Sequence, residues 1–252
     1  MTSRAKWLVA IPIYNEAKYV DEILDEVAKY ASDVLVINDG SVDSTADVLA
    51  KRSDVHVITH KENRGYGAAL QSAFQYAIDE GYEGVVTMDC DGQHQPKRIP
   101  RFIEAAGAAD IVSGSRYLKK YDGDDAPPAE RMFINRRLTA EINNRLGFHL
   151  TDAFCGFKAY RTSALRQMRI TDAGYAMPLQ LWVEAAAAGL TVIEIPVPLI
   201  YLDLARSFGG SLDHAETRLA YYNQVLSAAI ESVQKAGHTL PPAIKPSRQT
   251  TG

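Results

Sequence analysis

Residues 7–40 read WLVAIPIYNEAKYVDEILDEVAKYASDVLVINDG, and this stretch decides the fold. Two short apolar runs, at 7–13 and 34–37, end at Pro or at Asn-Asp-Gly, as buried strands do where they stop at turns. Between them the apolar residues recur at intervals of three and four, as on a helix that packs one face on a sheet: Val20, Ile23, Leu24, Val27 and Tyr30. The stretch therefore predicts a strand, a helix and a second strand.

The same alternation continues along the chain. We predict helices at 44–52, 67–80 and 97–106, and strands at 55–59, 84–88 and 110–113. In the less regular second half we predict helices at 131–146, 178–188 and 215–236. We also predict a strand at 191–200, which Pro196 and Pro198 confine to a sheet edge. This order predicts an α/β, Rossmann-like fold with a mostly parallel central sheet and helices on both faces.

The composition excludes several classes of protein. The 252 residues are 46% hydrophobic and 23% charged, as in an ordinary globular enzyme. The formal net charge of −4 offers no general positive field for nucleic acid. Two cysteines are too few for a disulfide framework. We see no signal-peptide core and no apolar run long enough to cross a membrane, so we expect a cytoplasmic protein.

Polar clusters follow the predicted strands, at the edge of a parallel sheet where ligands bind. Asp89 and Asp91, with Gln93 close behind, form a tight turn after the strand at 84–88. Oxygen ligands of this kind suit Mg²⁺ or Mn²⁺ shared with substrate phosphates, although an ordinary Asp-Gly turn is the alternative. Asp39 follows the strand at 34–37, where a carboxylate can accept hydrogen bonds from a ribose or a base.

Five ordered motifs resemble those of family 2 glycosyltransferases, and most of all the dolichyl-phosphate mannose synthase and polyprenyl-phosphate sugar transferase group. They are AIPIYNE at 10–16, VINDGSVD at 36–43, NRGYGAA at 63–69, MDCDGQ at 88–93 and SGSRY at 113–117. The resemblance implies the GT-A fold, a nucleotide-diphosphate sugar donor and a divalent metal. It suggests a single domain at 1–236, with a donor half at 1–117, an acceptor half at 118–236 and a disordered tail at 237–252.

The resemblance also implies roles for individual residues. A first group matches the family's nucleotide-sugar site: Pro12, Tyr14, Glu16, Asp39, Asp89 and Arg116, of which Arg116 is expected near the phosphates. A second group matches the metal and diphosphate site: Asp89, Asp91 and Gln93. A third lies where related enzymes bind an acceptor: Arg131, Arg136 and Arg137. For Arg136 and Arg137, ordinary solvated helix charges are an equal alternative.

Two further residues complete the predicted site. Asp152 matches an aspartate that precedes a Gly-Phe pair in the family, and we place it with Asp91 in the catalytic machinery. It would act as general base toward a hydroxyl acceptor, unless it only orders its loop. His214 is a candidate metal ligand, with a helix-start histidine capped by Asp213 as the alternative.

These residues predict a metal-dependent inverting glycosyltransferase that uses GDP-mannose or a UDP-sugar. The predicted acceptor is a polyprenyl or dolichyl phosphate, which places the chain peripherally at the inner membrane face. The late lysine of lipid-phosphate enzymes is absent from Arg206 to Leu212, so a hydroxyl acceptor stays open. A nucleotidyltransferase and a non-catalytic nucleotide-sugar sensor are the remaining alternatives.

Overall fold

A computed structural model describes residues 6–201 and 214–242. Its strands are β1 (Trp7–Ile13), β2 (Val34–Asn38), β3 (His56–Thr59), β4 (Gly84–Thr87), β5 (Ile111–Ser115), β6 (Lys158–Arg161) and β7 (Val192–Pro196). Its helices are α1 (Val20–Val27), α2 (Thr45–Leu49), α3 (Tyr66–Asp79), α4 (Ile99–Ala105), α5 (Ala129–Leu146), α6 (Thr162–Leu165), α7 (Met177–Ala187) and α8 (Ala215–Lys235). A short 3-10 turn, Pro96–Arg98, precedes α4.

The described strands form one mostly parallel sheet in the order β3-β2-β1-β4-β6-β5-β7. β1 and β2 lie inside it, and β2 is buried along its whole length. Helices cover both faces, because one apolar cluster joins the sheet to α3 and α5–α8 and another joins it to α1, α2 and α4. The predicted mostly parallel sheet with helices on both faces is therefore confirmed.

β6 departs from the expected pattern. It runs antiparallel between β4 and β5, with Thr87 opposite Lys158 on one side and Val112 opposite Ala159 on the other. This strand was not predicted from the sequence, because its residues, KAYR, include two cations and form no apolar run. The consequence for function is direct, since an antiparallel strand begins at the edge where its parallel neighbours end. Lys158 therefore lies at the ligand-binding edge.

The ends of two predicted segments differ from expectation. β7 lies at the sheet edge as the prolines predicted, but it ends at Pro196 rather than at residue 200. In the predicted disordered tail, Leu240 packs on the apolar cluster, whereas the other residues of 237–242 are exposed. The remainder of that tail, 243–252, lies outside the described residues. Among residues 6–201 and 214–242, no helix has the length and apolar character needed to cross a bilayer.

Candidate active site

A cavity of about 420 Å³ opens at the carboxyl ends of the parallel strands. It gathers most of the predicted site residues from distant parts of the chain. Those that line it are Pro12, Tyr14, Glu16, Asp39, Asp89, Asp91, Gln93, Arg116 and Arg131. The parallel sheet brings them together because β1, β2, β4 and β5 all end at this edge. The arrangement is a binding site built from loops on a rigid sheet.

The acidic turn after β4 presents Asp89 to the cavity. The Asp89 side chain is 33% exposed, and Tyr66 donates its hydroxyl to Asp89 Oδ1 at 3.4 Å. The Asp89 backbone N–H donates to His94 Nδ1 at 2.9 Å, which holds the turn. Gln93 N donates to Asp91 Oδ1 at 3.0 Å. Burial raises the pKa of the Asp89 carboxyl, because desolvation disfavours its charged form.

Gly156 forms the surface against which the Asp89 carboxylate lies. A Cβ at position 156 would lie 2.6 Å from Asp89 Oδ2 and 3.0 Å from the Tyr66 hydroxyl. Any larger residue would therefore displace the carboxylate. No functional role was predicted for this glycine from the sequence, and its contact with the acidic turn is visible only in the structure.

The acidic turn fits a divalent cation that is shared with a substrate. Within residues 6–201 and 214–242, no group of three or more His, Cys, Asp or Glu side chains is arranged to hold a metal. Two carboxylates, Asp89 and Asp91, do line the cavity. Mg²⁺ is usually held by one or two carboxylates, with substrate phosphates and water completing its coordination. The donor set therefore suits Mg²⁺ or Mn²⁺ bound together with a diphosphate.

His214 does not join this turn. It is exposed at the N-cap position of α8 and is not among the residues that line the cavity. The structure thus does not support the predicted metal contact, because the ring lies at a solvent-exposed helix start. Asp213, the expected cap, lies outside the described residues.

Asp39 lines the cavity directly after the end of β2. It is 3% exposed, and its Oδ2 accepts the Gly65 N–H at 2.8 Å. Gly65 has φ of 100°, and a Cβ there would lie 2.4 Å from the Ala173 carbonyl oxygen. Only glycine can take this conformation so close to another backbone. The loop before α3 is thereby held against the Asp39 carboxylate.

Asp152 lies in surroundings that differ from those expected of a general base. It is fully buried, it does not line the cavity, and it pairs with Arg116 through Nε at 2.6 Å and Nη2 at 2.9 Å. Asn135 Nδ2 donates to Asp152 Oδ1 at 2.7 Å. Burial alone would raise the pKa of Asp152, but the Arg116 guanidinium holds that pKa well below its usual range. A buried, strongly acidic carboxylate is a poor proton acceptor, so the structure argues against a general base here.

Arg116 is consequently a fixed cation in the cavity wall. Its Nε and Nη2 groups face Asp152, and its guanidinium carbon lies 5.7 Å from the centre of the Tyr117 ring. The predicted contact with phosphates stays a prediction, to be made by the part of the guanidinium that Asp152 does not occupy.

The three predicted acceptor arginines separate in the structure. Arg131 lines the cavity, and its guanidinium carbon lies 5.9 Å from the centre of the Tyr201 ring. Arg136 and Arg137 are exposed on the outer face of α5 and do not line the cavity. Their contact with an acceptor stays a prediction, and the Arg136 charge counteracts the rise that burial causes in the pKa of Tyr117, a residue that does line the cavity.

Two buried cations at the cavity were missed by the sequence analysis. Lys158, 3% exposed, donates through Nζ to the Cys155 carbonyl, and burial lowers its pKa. Arg218, also 3% exposed, donates from Nη2 to Glu130 Oε1 at 2.6 Å. A usable signal exists for Arg218: it precedes Tyr222 and Leu226 at intervals of four, on the buried stripe of α8. A cation on the buried face of a helix is unusual, because burial of a charge is costly, and it therefore indicates a candidate binding site.

The chain is similar to known proteins over most of its length. The glycosyl transferase family 2 model matches residues 8–169. An undecaprenyl-phosphate mannosyltransferase of Micrococcus luteus is 33% identical over 79% of this chain and 86% of its own length. A polyprenol monophosphomannose synthase of Mycolicibacterium smegmatis is 31% identical over 79% of each chain.

A solved structure resembles the fold. Glucosyl-3-phosphoglycerate synthase from Mycobacterium tuberculosis, in complex with Mn²⁺ and uridine-diphosphate-glucose, superposes with a TM-score of 0.64 at 18% identity. The match covers 91% of this chain and 79% of that one. At this identity the likeness is one of fold.

Proposed function

The chain belongs to glycosyl transferase family 2, has the GT-A fold and is a glycosyltransferase, and from this premise we propose that it transfers mannose from GDP-mannose to a polyprenyl phosphate. Two relatives above 30% identity are named as an undecaprenyl-phosphate mannosyltransferase and a polyprenol monophosphomannose synthase, which supports mannose as the sugar and a polyprenyl phosphate as the acceptor. A nucleotidyltransferase and a non-catalytic sensor, the alternatives left open by the sequence, are thereby set aside.

The two chemically different parts of the cavity carry the proposal. One part holds the carboxylates Asp39, Asp89 and Asp91 and suits a nucleotide and a cation. The other is apolar and is lined by α3, α5, α7, α8 and the loop before β6, through Leu70, Ile134, Phe154, Met177, Leu181 and Tyr222. A nucleotide sugar has no long apolar portion to cover such a wall, whereas an isoprenoid chain does.

Cations accompany the apolar part. Arg131 precedes Ile134 by three residues on α5, and Arg218 precedes Tyr222 by four on α8, so each arginine shares a helix face with an apolar lining residue. A guanidinium binds phosphate oxygens through paired donors. An anionic head joined to an apolar chain therefore matches this half of the cavity.

A phosphate acceptor also agrees with the position of Asp152. A phosphate oxygen is already anionic, so it needs no base to attack the sugar C1. The new C1–O bond forms on the face opposite the departing nucleoside diphosphate, and the anomeric configuration inverts. Asp89 and Asp91 would hold a divalent cation, which when bound supplies positive charge that stabilises the leaving diphosphate. With Asp152 buried against Arg116, a hydroxyl acceptor would lack its proposed base.

We further propose that the enzyme works at a membrane surface, where a polyprenyl phosphate resides. The outer face of α5 supports this, since Phe133 is 60% exposed and lies beside the exposed Arg136 and Arg137. Aromatic and cationic side chains on one helix face favour an anionic bilayer surface. Flotation with phosphatidylglycerol vesicles at low salt should retain the protein, and absence from the vesicle fraction would contradict this location.

Transfer of radioactive mannose from GDP-mannose into an organic phase tests the proposed reaction. With Mn²⁺ and undecaprenyl phosphate we expect labelled lipid, and with glycerol phosphate, which lacks the chain, we expect little. Arg218→Met should raise the KM for the lipid about tenfold, the loss of one charge-assisted contact, and leave the KM for GDP-mannose near its original value. Arg101→Met, on the exposed side of α4, is the matched control.

Equal transfer to glycerol phosphate and to the lipid would refute the role of the apolar wall. Transfer to a sugar or alcohol hydroxyl in preference to the lipid would refute the acceptor class. An unchanged lipid KM in the Arg218 variant would remove that residue from the acceptor site.

A further inference from the structure

A hydrogen-bonded chain of three side chains lies behind the nucleotide end of the cavity. His60, which follows β3, lies between Asp39 and Ser72, with 2.6 Å from Nδ1 to Asp39 Oδ1 and 2.9 Å from Nε2 to Ser72 Oγ. His60 is 7% exposed and does not line the cavity, whereas Asp39 does. The imidazole is thus placed to act on a ligand only through Asp39.

The chemistry of the three groups fixes the proton positions. An ionised carboxylate only accepts, so His60 Nδ1 carries a proton and donates to Asp39. In the neutral ring Nε2 accepts from the Ser72 hydroxyl. In the charged ring Nε2 donates to Ser72 Oγ, and that hydroxyl can turn to the Ala68 carbonyl at 3.2 Å. Asp39 keeps its bond from His60 in both states.

Two backbone groups complete the support of Asp39. Arg64 N donates to Oδ1 at 3.0 Å and Gly65 N donates to Oδ2 at 2.8 Å. With His60, these bonds use three of the roughly four acceptor positions that a carboxylate has. As far as the contacts of residues 6–201 and 214–242 show, one position, on Oδ2, is left for a donor in the cavity.

We propose that His60 is a positioning residue for donor binding: it holds Asp39 in the orientation that accepts a hydrogen bond from the nucleoside of the sugar donor. The group bound by Asp39 is a ribose hydroxyl or a base N–H. The inference rests on the proposed function, since it requires that the cavity bind a nucleoside diphosphate. A merely structural histidine would support the fold without changing nucleotide affinity.

Two amide substitutions separate the two bonds of the ring. In His60→Asn the side-chain amide can replace Nδ1 and still donate to Asp39, but it does not reach Ser72. In His60→Gln the amide can replace Nε2 and contact Ser72, leaving Asp39 without its donor. His60→Ala removes both bonds. His56→Asn, on the exposed edge strand β3, is the control.

Calorimetric titration of the full chain with GDP and with UDP, each in the presence of Mn²⁺, measures the effect. We expect His60→Asn to bind the preferred nucleotide within about threefold of the original protein. We expect His60→Gln and His60→Ala to bind about tenfold more weakly, since a bond to a charged group is lost. In mannose transfer the donor KM should rise while kcat at saturating donor stays nearly constant.

Unchanged nucleotide affinity in His60→Gln, or equal losses in the Asn and Gln variants, would overturn the proposal. If the variants do not fold, ¹⁵N NMR of the original protein provides the test: GDP or UDP should shift the ring signals of His60 more than those of His56, and equal shifts would count against it. Failure of the unmodified protein to bind either nucleotide would instead refute the proposed function. The two failures are therefore distinguishable.

Discussion

Replacing Asp152 by Asn should destabilise the protein more than it slows the reaction. The substitution keeps the size of the side chain and removes its charge, leaving Arg116 beside a neutral amide. Asp152 is fully buried, and it receives bonds from Arg116 Nε at 2.6 Å, Arg116 Nη2 at 2.9 Å and Asn135 Nδ2 at 2.7 Å. When one partner of a buried ion pair loses its charge, the other charge stays desolvated without compensation, which destabilises the folded protein.

The magnitude follows from this geometry. Breaking a buried pair costs about 3–5 kcal/mol, and Asn retains one carbonyl acceptor, so we expect about 3 kcal/mol in the free energy of unfolding. For a chain of this size that lowers the Tm by about 6–12 °C. Urea denaturation followed by circular dichroism measures the difference. Glu231→Gln, which breaks the exposed pair with Lys235 on α8, is the control and should stay near the original stability.

The difference between the two proteins should depend on pH in a defined direction. The pKa of Asp152 is lower in the folded protein than in the unfolded chain, because the Arg116 charge outweighs burial. Its stabilisation is therefore complete above the unfolded pKa of about 3.9 and is lost as the pH falls toward the folded value. The gap in unfolding free energy between the original protein and Asp152→Asn should be largest near neutral pH and should shrink below about pH 4.

A catalytic base would produce the opposite pattern. Removal of a general base costs about 10²- to 10⁴-fold in rate, with little effect on the unfolding transition. A loss of that size in kcat, together with an unfolding free energy near the original value, would refute the reasoning. In a double-mutant cycle with Arg116→Met, strong coupling in unfolding free energy supports the ion pair, whereas additive losses would contradict it.

Three further predictions concern the metal site and the core. Gly156→Ala should raise the Mn²⁺ concentration for half-maximal turnover about tenfold, because the new Cβ would lie 2.6 Å from Asp89 Oδ2. Gly107→Ala is the control, and an unchanged Mn²⁺ titration in Gly156→Ala would disprove the contact. Treatment with EDTA should abolish mannose transfer and leave the far-ultraviolet circular dichroism unchanged, and added Mn²⁺ should restore transfer; full activity in EDTA would exclude the proposed cation. Leu138→Ala should lower the unfolding free energy by about 2–5 kcal/mol, since Leu138 lies on α5 and is 0% exposed within the apolar cluster. A loss below about 1 kcal/mol in urea denaturation would show that neighbouring side chains fill the cavity left by the substitution.

The sequence was sufficient to predict the features that depend on local pattern. The strand at Trp7–Ile13 and the helix at Val20–Val27 follow from apolar periodicity, and the acidic turn follows from two aspartates placed directly after a strand. Because parallel strands end at one edge of a sheet, the alternation of strands and helices along the chain was enough to predict that Asp39 and Asp89 lie at one ligand-binding edge. These features depend on residues that are close together in the chain.

The pairings between distant residues depend on how the folded elements pack, which local sequence patterns do not report. Asp152 lies 36 residues after Arg116, and nothing in either local sequence shows that a buried ion pair joins them. The same holds for the antiparallel β6, which carries Lys158 to the cavity, and for Arg218, which packing on α5 turns inward. His60 contacts Asp39 because β2 and β3 are adjacent in register. Periodicity reports which face of an element is buried, whereas register and packing decide which charge meets which, and these charges determine the chemistry of the site.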